Sequence, residues 1–305
     1  MAMCEPRTRA QLAEALKSIV ASDFPASYPD LISSIMQQIT SGDGSRLDAG
    51  LIALRNVVKV YEFKSAEVGS DGIQPRAPLY AIVSVCFPTL LELMSHLQAE
   101  VDRAQQAKDD AAASVALVRE RLVCKILWSS AQFRLPPLFL DDENHFSMWV
   151  EKLLIAWRHP VPAHVGAGLS ADELLSLPDW KLKKWIGHIM HRFFQRYGDP
   201  KRVEDESQKM TQFATRFLNT FAAPITSAML EVLAWPHTRN IRLSPRVANL
   251  ALNYVEAAIT PAITYAVLQP EIGSFLSHIL FPYLCVSDAD VQLWDEDPVE
   301  YVNKS

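Results

Sequence analysis

The chain has 305 residues, 49% of them apolar and 21% charged, with 10 glycines and a formal net charge of −6. Such a composition supports a sizeable core and excludes a disordered chain. So few glycines disfavour the doubly wound and barrel enzymes, which use them in phosphate loops and tight turns. The acidic balance disfavours broad nucleic-acid binding, which rests on neutralising phosphates.

In chain order, apolar residues at offsets of three and four predict helices over about 8–22, 30–40, 46–63, 79–107, 111–134, 145–158, 181–197, 207–234, 245–266 and 271–285. Strand-like alternation is hard to find, and no Asn-Gly or Asp-Gly turn joins two strand-like runs. Prolines mark the breaks between helices, while Pro88, Pro224 and Pro261 fall inside helical patterns and predict kinks. Compact amphipathic helices alternate with partners, giving the pairs 8–40, 46–107, 111–158, 181–234 and 245–285, followed by an acidic terminal segment, 287–301. Antiparallel pairs repeating in tandem describe an all-α solenoid of HEAT-like units, because one pair cannot bury its own apolar face. The repeat, at about 65 residues, is longer than a typical HEAT unit.

The segment KLKKWIGHIMHRFFQRYG, 181–198, is the most informative. Leu182, Trp185, Ile189 and Phe193 form its apolar stripe and are expected to be buried. Lys181, Lys184, His188, His191, Arg192 and Gln195 form an opposite, basic face with the histidines exposed. Gly187, on the flank of the stripe, suggests a close helix approach, since glycine there costs about 1 kcal/mol relative to Ala.

Catalytic signatures are missing: there is no glycine-rich phosphate loop, no GxSxG and no HExxH. His188 and His191 have a spacing that could bind metal, but no Cys or carboxylate lies near them in sequence, so they are read as solvated side chains. The acids of DDENH, 141–145, are read as complementing the dipole of the helix that follows. The reading is a non-enzyme with no catalytic, cofactor or metal site. Cys4, Cys86, Cys124 and Cys285 lie far apart among apolar residues and are read as reduced core thiols of an intracellular protein. The start, MAMCEPRTRAQL, lacks the apolar stretch of a secretory signal, and no unbroken apolar run reaches about 18–20 residues, so a soluble chain is expected.

Three collinear stretches carry a family resemblance. One is PDWKLKKWIGHIMHRFFQRYGDP, through Trp180, Lys181, Lys183, Lys184, Trp185, His188, Ile189, Phe194, Arg196, Tyr197, Gly198 and Pro200. Another is LSPRVANLALNYVEAAIT, through Pro245, Arg246, Val247, Leu252, Asn253 and Tyr254. The third is FPYLCVSDADVQLWDEDPVEYV, through Phe281, Pro282, Cys285, Asp288, Ala289, Asp290, Leu293, Trp294, Glu296, Asp297, Pro298, Glu300 and Tyr301. These resemble the karyopherin-β nuclear transport receptors, in particular the importin seven/eight branch. VVKVYEFK and DFPASYPDL add weaker similarity near the start. The stretches EVDRAQQAKDDAAASVAL and HPVPAHVGAG have no clear counterpart.

The resemblance implies a HEAT solenoid that carries protein cargo into the nucleus under control of the small GTPase Ran, contacts Phe-Gly nucleoporins, and shuttles between cytoplasm and nucleus. It implies no direct nucleic-acid or membrane partner. The chain reads as an internal portion of the N-terminal half, beginning after the repeats that hold most Ran contacts in the family. Its open ends predict marginal stability in isolation. Lys181, Lys184, His188 and Arg192 would face the inner groove, where they could meet acidic partner surfaces. Asp288, Asp290, Asp295 and Glu296 would form a negative patch for basic cargo, with Trp294 anchoring the segment and Asp297 capping the helix begun by Pro298. A HEAT scaffold or regulatory subunit without transport function is the alternative.

Overall fold

The computed structural model describes residues 5–70, 72–203, 207–286 and 288–304, and among them there is no β-strand. The principal helices are α1 (Pro6–Asp23), α2 (Leu31–Ile39), α3 (Gly44–Tyr61), α4 (Ala77–Gln106), α5 (Asp110–Ala131), α6 (Glu143–Arg158), α7 (Pro178–Tyr197), α8 (Gln208–Arg216), α9 (Ala223–Leu233), α10 (Pro245–Ala258), α11 (Ala262–Leu268), α12 (Asp288–Glu296) and α13 (Pro298–Lys304). Their starts carry local signals. The carboxylates of Asp43, Asp109 and Asp142 accept the backbone N–H of Arg46, Ala112 and His145, and the Ser207 hydroxyl accepts that of Met210. Pro178 and Pro245 sit in the first turns of α7 and α10, where a missing N–H costs nothing.

The helices form two rows. In the inner row α1 packs on α3, α3 on α5, α5 on α7 and α7 on α10. In the outer row α2 lies against α3, α4 against α5, α6 against α4, α7 and α9, and α9 against α10. Chain neighbours that pack on each other are 31–39 with 44–61 and 77–106 with 110–131, a frame beginning one helix later than the pairs 8–40, 46–107 and 111–158. The reason is loop length. The turns at 40–43 and 107–109 are short enough to force antiparallel neighbours, whereas 62–76 and 159–177 are long.

Pro88 lies inside α4, Pro224 follows a π-helical turn, Phe217–Ala222, that joins α8 to α9, and Pro261 separates α10 from α11. Helix α4 is long and apolar enough to cross a membrane by length and composition, although polar residues interrupt its apolar run. Its Leu79, Val83, Leu90 and Met94 are fully buried in the shared core.

Phe146 of α6 is the aromatic hub of that core. Its ring centroid lies 5.6 Å from Phe193, 4.8 Å from Phe213, 6.3 Å from Phe217, 5.2 Å from Phe221 and 5.3 Å from Phe139. Trp149, Trp157, Trp180 and Trp235 are also fully buried. Cys86 and Cys124 are buried thiols, as expected, but Cys285 is exposed. It lies beyond the last helix turn of Phe281–Leu284, where the apolar residues around it, Leu284 and Val286, are themselves exposed. Cys4 lies outside the described residues.

Buried cations seal the carbonyl ends of helices. Arg76, 1% exposed, donates from Nη1 to the Glu62 carbonyl at 2.7 Å and from Nη2 to the Ser130 carbonyl at 3.2 Å, tying the ends of α3 and α5 together. Lys183 does the same for α6. Its Nζ donates to the carbonyls of Ala156 (3.0 Å), Trp157 (2.5 Å) and His159 (2.7 Å), and lies 5.0 Å from the centre of the Trp235 ring.

Candidate functional site

Helix α7 has no fully solvated face. Leu182 and Phe193 are buried as expected, but Trp185 is only half-buried. On the polar side Lys181, Lys184, His188, His191 and Arg192 are half-buried and only Gln195 is exposed, which corrects the expectation of exposed histidines. The cause is the inner row: α5 flanks α7 on one side and α10 on the other. Gly187 marks the contact with α10, since a Cβ there would meet the Leu250 Cβ and the Trp157 ring, each at 3.3 Å.

Between α5 and α7 stands an aromatic cluster. Trp128 meets Trp185 edge-on at 6.1 Å, and the His188 ring lies 5.8 Å from Trp128 and 5.9 Å from Trp185. Cations cover it: Lys125 Nζ is 5.2 Å and Lys184 Nζ 5.9 Å from the Trp185 centroid. Arg192 lies 5.9 Å from the Phe133 ring. Burial, with Arg55, Arg121, Lys184 and Lys59 close by, pulls the Lys125 ammonium down to about 8. Burial, with Arg246, Lys184 and His191 beside it, pulls His188 down to about 4, so it is neutral at physiological pH.

The predicted face of α7 is therefore one part of a strip that crosses α3, α5, α7 and α10. Arg55, Lys59, Arg121, Lys125 and Arg246 belong to it and were not singled out from the sequence. The signal was present: Arg55 and Lys59, Arg121 and Lys125, and Lys184, His188 and Arg192 each repeat at four-residue spacing on successive inner helices.

The acidic terminus is arranged differently. Asp297 accepts the backbone N–H of Glu300 at 2.9 Å and caps α13, as expected. Trp294 is 51% exposed, with its ring 5.5 Å from Tyr301, so it ties α12 to α13 rather than anchoring the segment on the solenoid. Asp295 and Glu296 are exposed, and Glu296 accepts from the Gln292 amide at 2.8 Å. Asp290 is half-buried, and the Asp288 side chain lies outside the described residues.

One buried cluster has the perturbed ionisation of a catalytic site. Glu120, Asp179 and Lys183 line a cavity of about 20 Å³, room for about one water. Burial drives both carboxyls up, opposed by Lys183, and drives Lys183 down. The lysine is wholly engaged by three carbonyls and joins α6 to α7, while Glu120 of α5 keeps one carboxyl oxygen, Oε2, buried without a hydrogen-bond partner. Among the described residues, no group of three His, Cys, Asp or Glu side chains could hold a metal ion.

Two stacked rows of helices with a shared core define the class, a HEAT-type solenoid. A solved structure of the exportin Cse1 in its cargo-free, cytoplasmic state has the same fold, with a TM-score of 0.70 at 15% identity over all of this chain and 30% of that one. No family model matches the chain. Among individual proteins, it is 34% identical over 300 residues to an importin beta-like SAD2 homolog of Arabidopsis thaliana, covering 98% of this chain and 27% of the relative. It is 30% identical over 294 residues to human importin-8, covering 96% of this chain and 26% of the relative. The chain is thus a relative of the karyopherin-β receptors in their importin seven/eight branch, and spans about a quarter of the length of the curated relatives it matches.

Proposed function

We propose that this chain is part of a nuclear transport receptor that binds protein cargo, responds to Ran-GTP, and shuttles between cytoplasm and nucleus with the help of Phe-Gly nucleoporins. Similarity running through nearly the whole chain supports this reading, because it covers both helix rows and the turns between them. In this reading the inner strip faces cargo or Ran, while Asp295 and Glu296 take basic cargo. Binding is passive and reversible, and no bond is made or broken. The test is binding of this chain to Ran loaded with GTP or GDP, and separately to a Phe-Gly repeat segment. GTP-dependent retention of Ran or capture of the repeats supports transport. Binding to neither leaves a HEAT scaffold without transport function.

A further inference from the structure

The strip collects cations that are in no ion pair among the described residues: Arg55, Lys59, Arg121, Lys125, Lys184 and Arg246. The Nε atoms of Arg55, Arg121 and Arg192 are shielded from solvent and lack a hydrogen-bond partner. Nearby carboxylates are engaged elsewhere. Asp48 holds Arg119 at 2.8 Å, Glu14 holds Lys17 at 2.6 Å, and the Glu62 carboxylate accepts from the Gln132 amide. Glu62 still attracts Arg55, and Glu256 attracts His191 at the α10 edge, while Asp48 and Glu14 line the same cleft as Arg55 and Arg121.

Like charges gathered on one face repel, and each desolvated guanidinium without an acceptor adds to the cost. An isolated solenoid has no structural use for that arrangement. We propose that the strip across α3, α5, α7 and α10 is a docking surface for an acidic, extended polypeptide segment of a partner protein. Four helices about 8–10 Å apart make a strip about 30 Å long, which roughly nine extended residues span. Guanidinium groups take carboxylates in forked pairs, and Trp128 and Trp185 offer apolar edges to the residues between. A nucleic acid fits less well. Single strands bind by stacking bases on open aromatic faces, whereas here the two tryptophans meet edge to face and lysines lie over the Trp185 ring. The chain's net charge of −6 also repels a polyanion at long range. This inference deepens the proposed function by naming the chemistry of the partner that the strip would take, and its test needs neither Ran nor nucleoporins.

The test is fluorescence anisotropy of the 305-residue chain with a labelled peptide of about 12 residues alternating Glu with Leu or Phe, and with single-stranded RNA of equal length. The peptide should bind saturably, more weakly as salt rises. Lys125→Glu with Lys184→Glu should weaken it by about tenfold or more, while Lys201→Glu, an exposed lysine outside the strip, should change it by less than about twofold. Circular dichroism melting checks that each variant folds. If the central double variant does not, Lys59→Gln with Arg246→Gln, exposed at the two ends of the strip, should give about a threefold loss. The inference is overturned if the peptide does not bind saturably, if the strip variants bind it as wild type does, if Lys201→Glu matters as much as they do, or if RNA binds more tightly than the peptide.

Discussion

The two sides of α7 hold neighbouring lysines at opposite cost. On the core side Lys183 is 2% exposed, yet it reaches three carbonyls at the end of α6 and has Glu120 and Asp179 close by. On the strip side Lys184 is only half-buried, but its charged neighbours are other cations and its nearest partner is the Trp185 ring. Burial alone therefore does not decide whether a charge suits its place. What decides is whether helix ends and carboxylates converge on it, because a buried ion is tolerated only when its donors are all used. Lys183 is satisfied within the chain, whereas Lys184 is in no ion pair among the described residues.

The sharpest way to break this comparison is to remove each lysine. Lys183→Met should cost about 3–5 kcal/mol in chemical denaturation, since it strands the α6 carbonyls and two buried carboxyls. Lys184→Met should change stability by less than about 0.5 kcal/mol; equal losses would erase the distinction. Aromatic truncation gives a second contrast. Phe146→Ala should cost about 3–5 kcal/mol, and Trp185→Ala roughly half of that because its ring is only partly covered. Gly187→Val probes the core side by overfilling it against Trp157 and Leu250, with an expected cost of about 1–3 kcal/mol.

Acid sharpens the strip side. His188 titrates at about 4 in the folded chain against an ordinary 6.5, so the unfolded chain takes up a proton first as pH falls. The stability this gives is present above about 6.5 and declines as pH drops toward 4, by about 1–3 kcal/mol. His145 and His191 are lowered by burial as well and add to the slope. Replacing His188 with Gln should flatten a plot of melting temperature against pH. The smallest effect belongs to the acidic terminus. Asp295→Asn with Glu296→Gln should leave melting unchanged and weaken a basic cargo only modestly at low salt, since exposed ion pairs contribute about 0–1 kcal/mol each.

Much of the architecture was legible in the sequence because helical periodicity, proline breaks and capping aspartates are local signals. Asp297 caps the helix begun by Pro298, as the spacing suggested, and Gly187 marks the close approach it implied. The frame of the pairs was harder to read, because it depends on which turns are short. Exposure on α7 was misjudged for a related reason: one helix wheel shows a polar face but not the two inner neighbours that flank it. Lys183 illustrates the limit. It stands in the same charged run as Lys181 and Lys184, and only the arrival of α6 separates its fate from theirs.

The π-helical turn at Phe217–Ala222 makes chain length here a matter of phase. Its wider winding holds one residue more than an α-helical turn would. Phe213, Phe217, Phe221, Ile225, Met229 and Leu233, four apart throughout, are all buried, although that spacing would drift steadily around a straight α-helix. Deleting a single residue within the turn should let it revert to regular winding and rotate α8 by about 100° relative to α9. Phe213 would then swing away from Phe146, although no apolar side chain of the stripe need have been lost. In this stretch the count of residues matters as much as their identity.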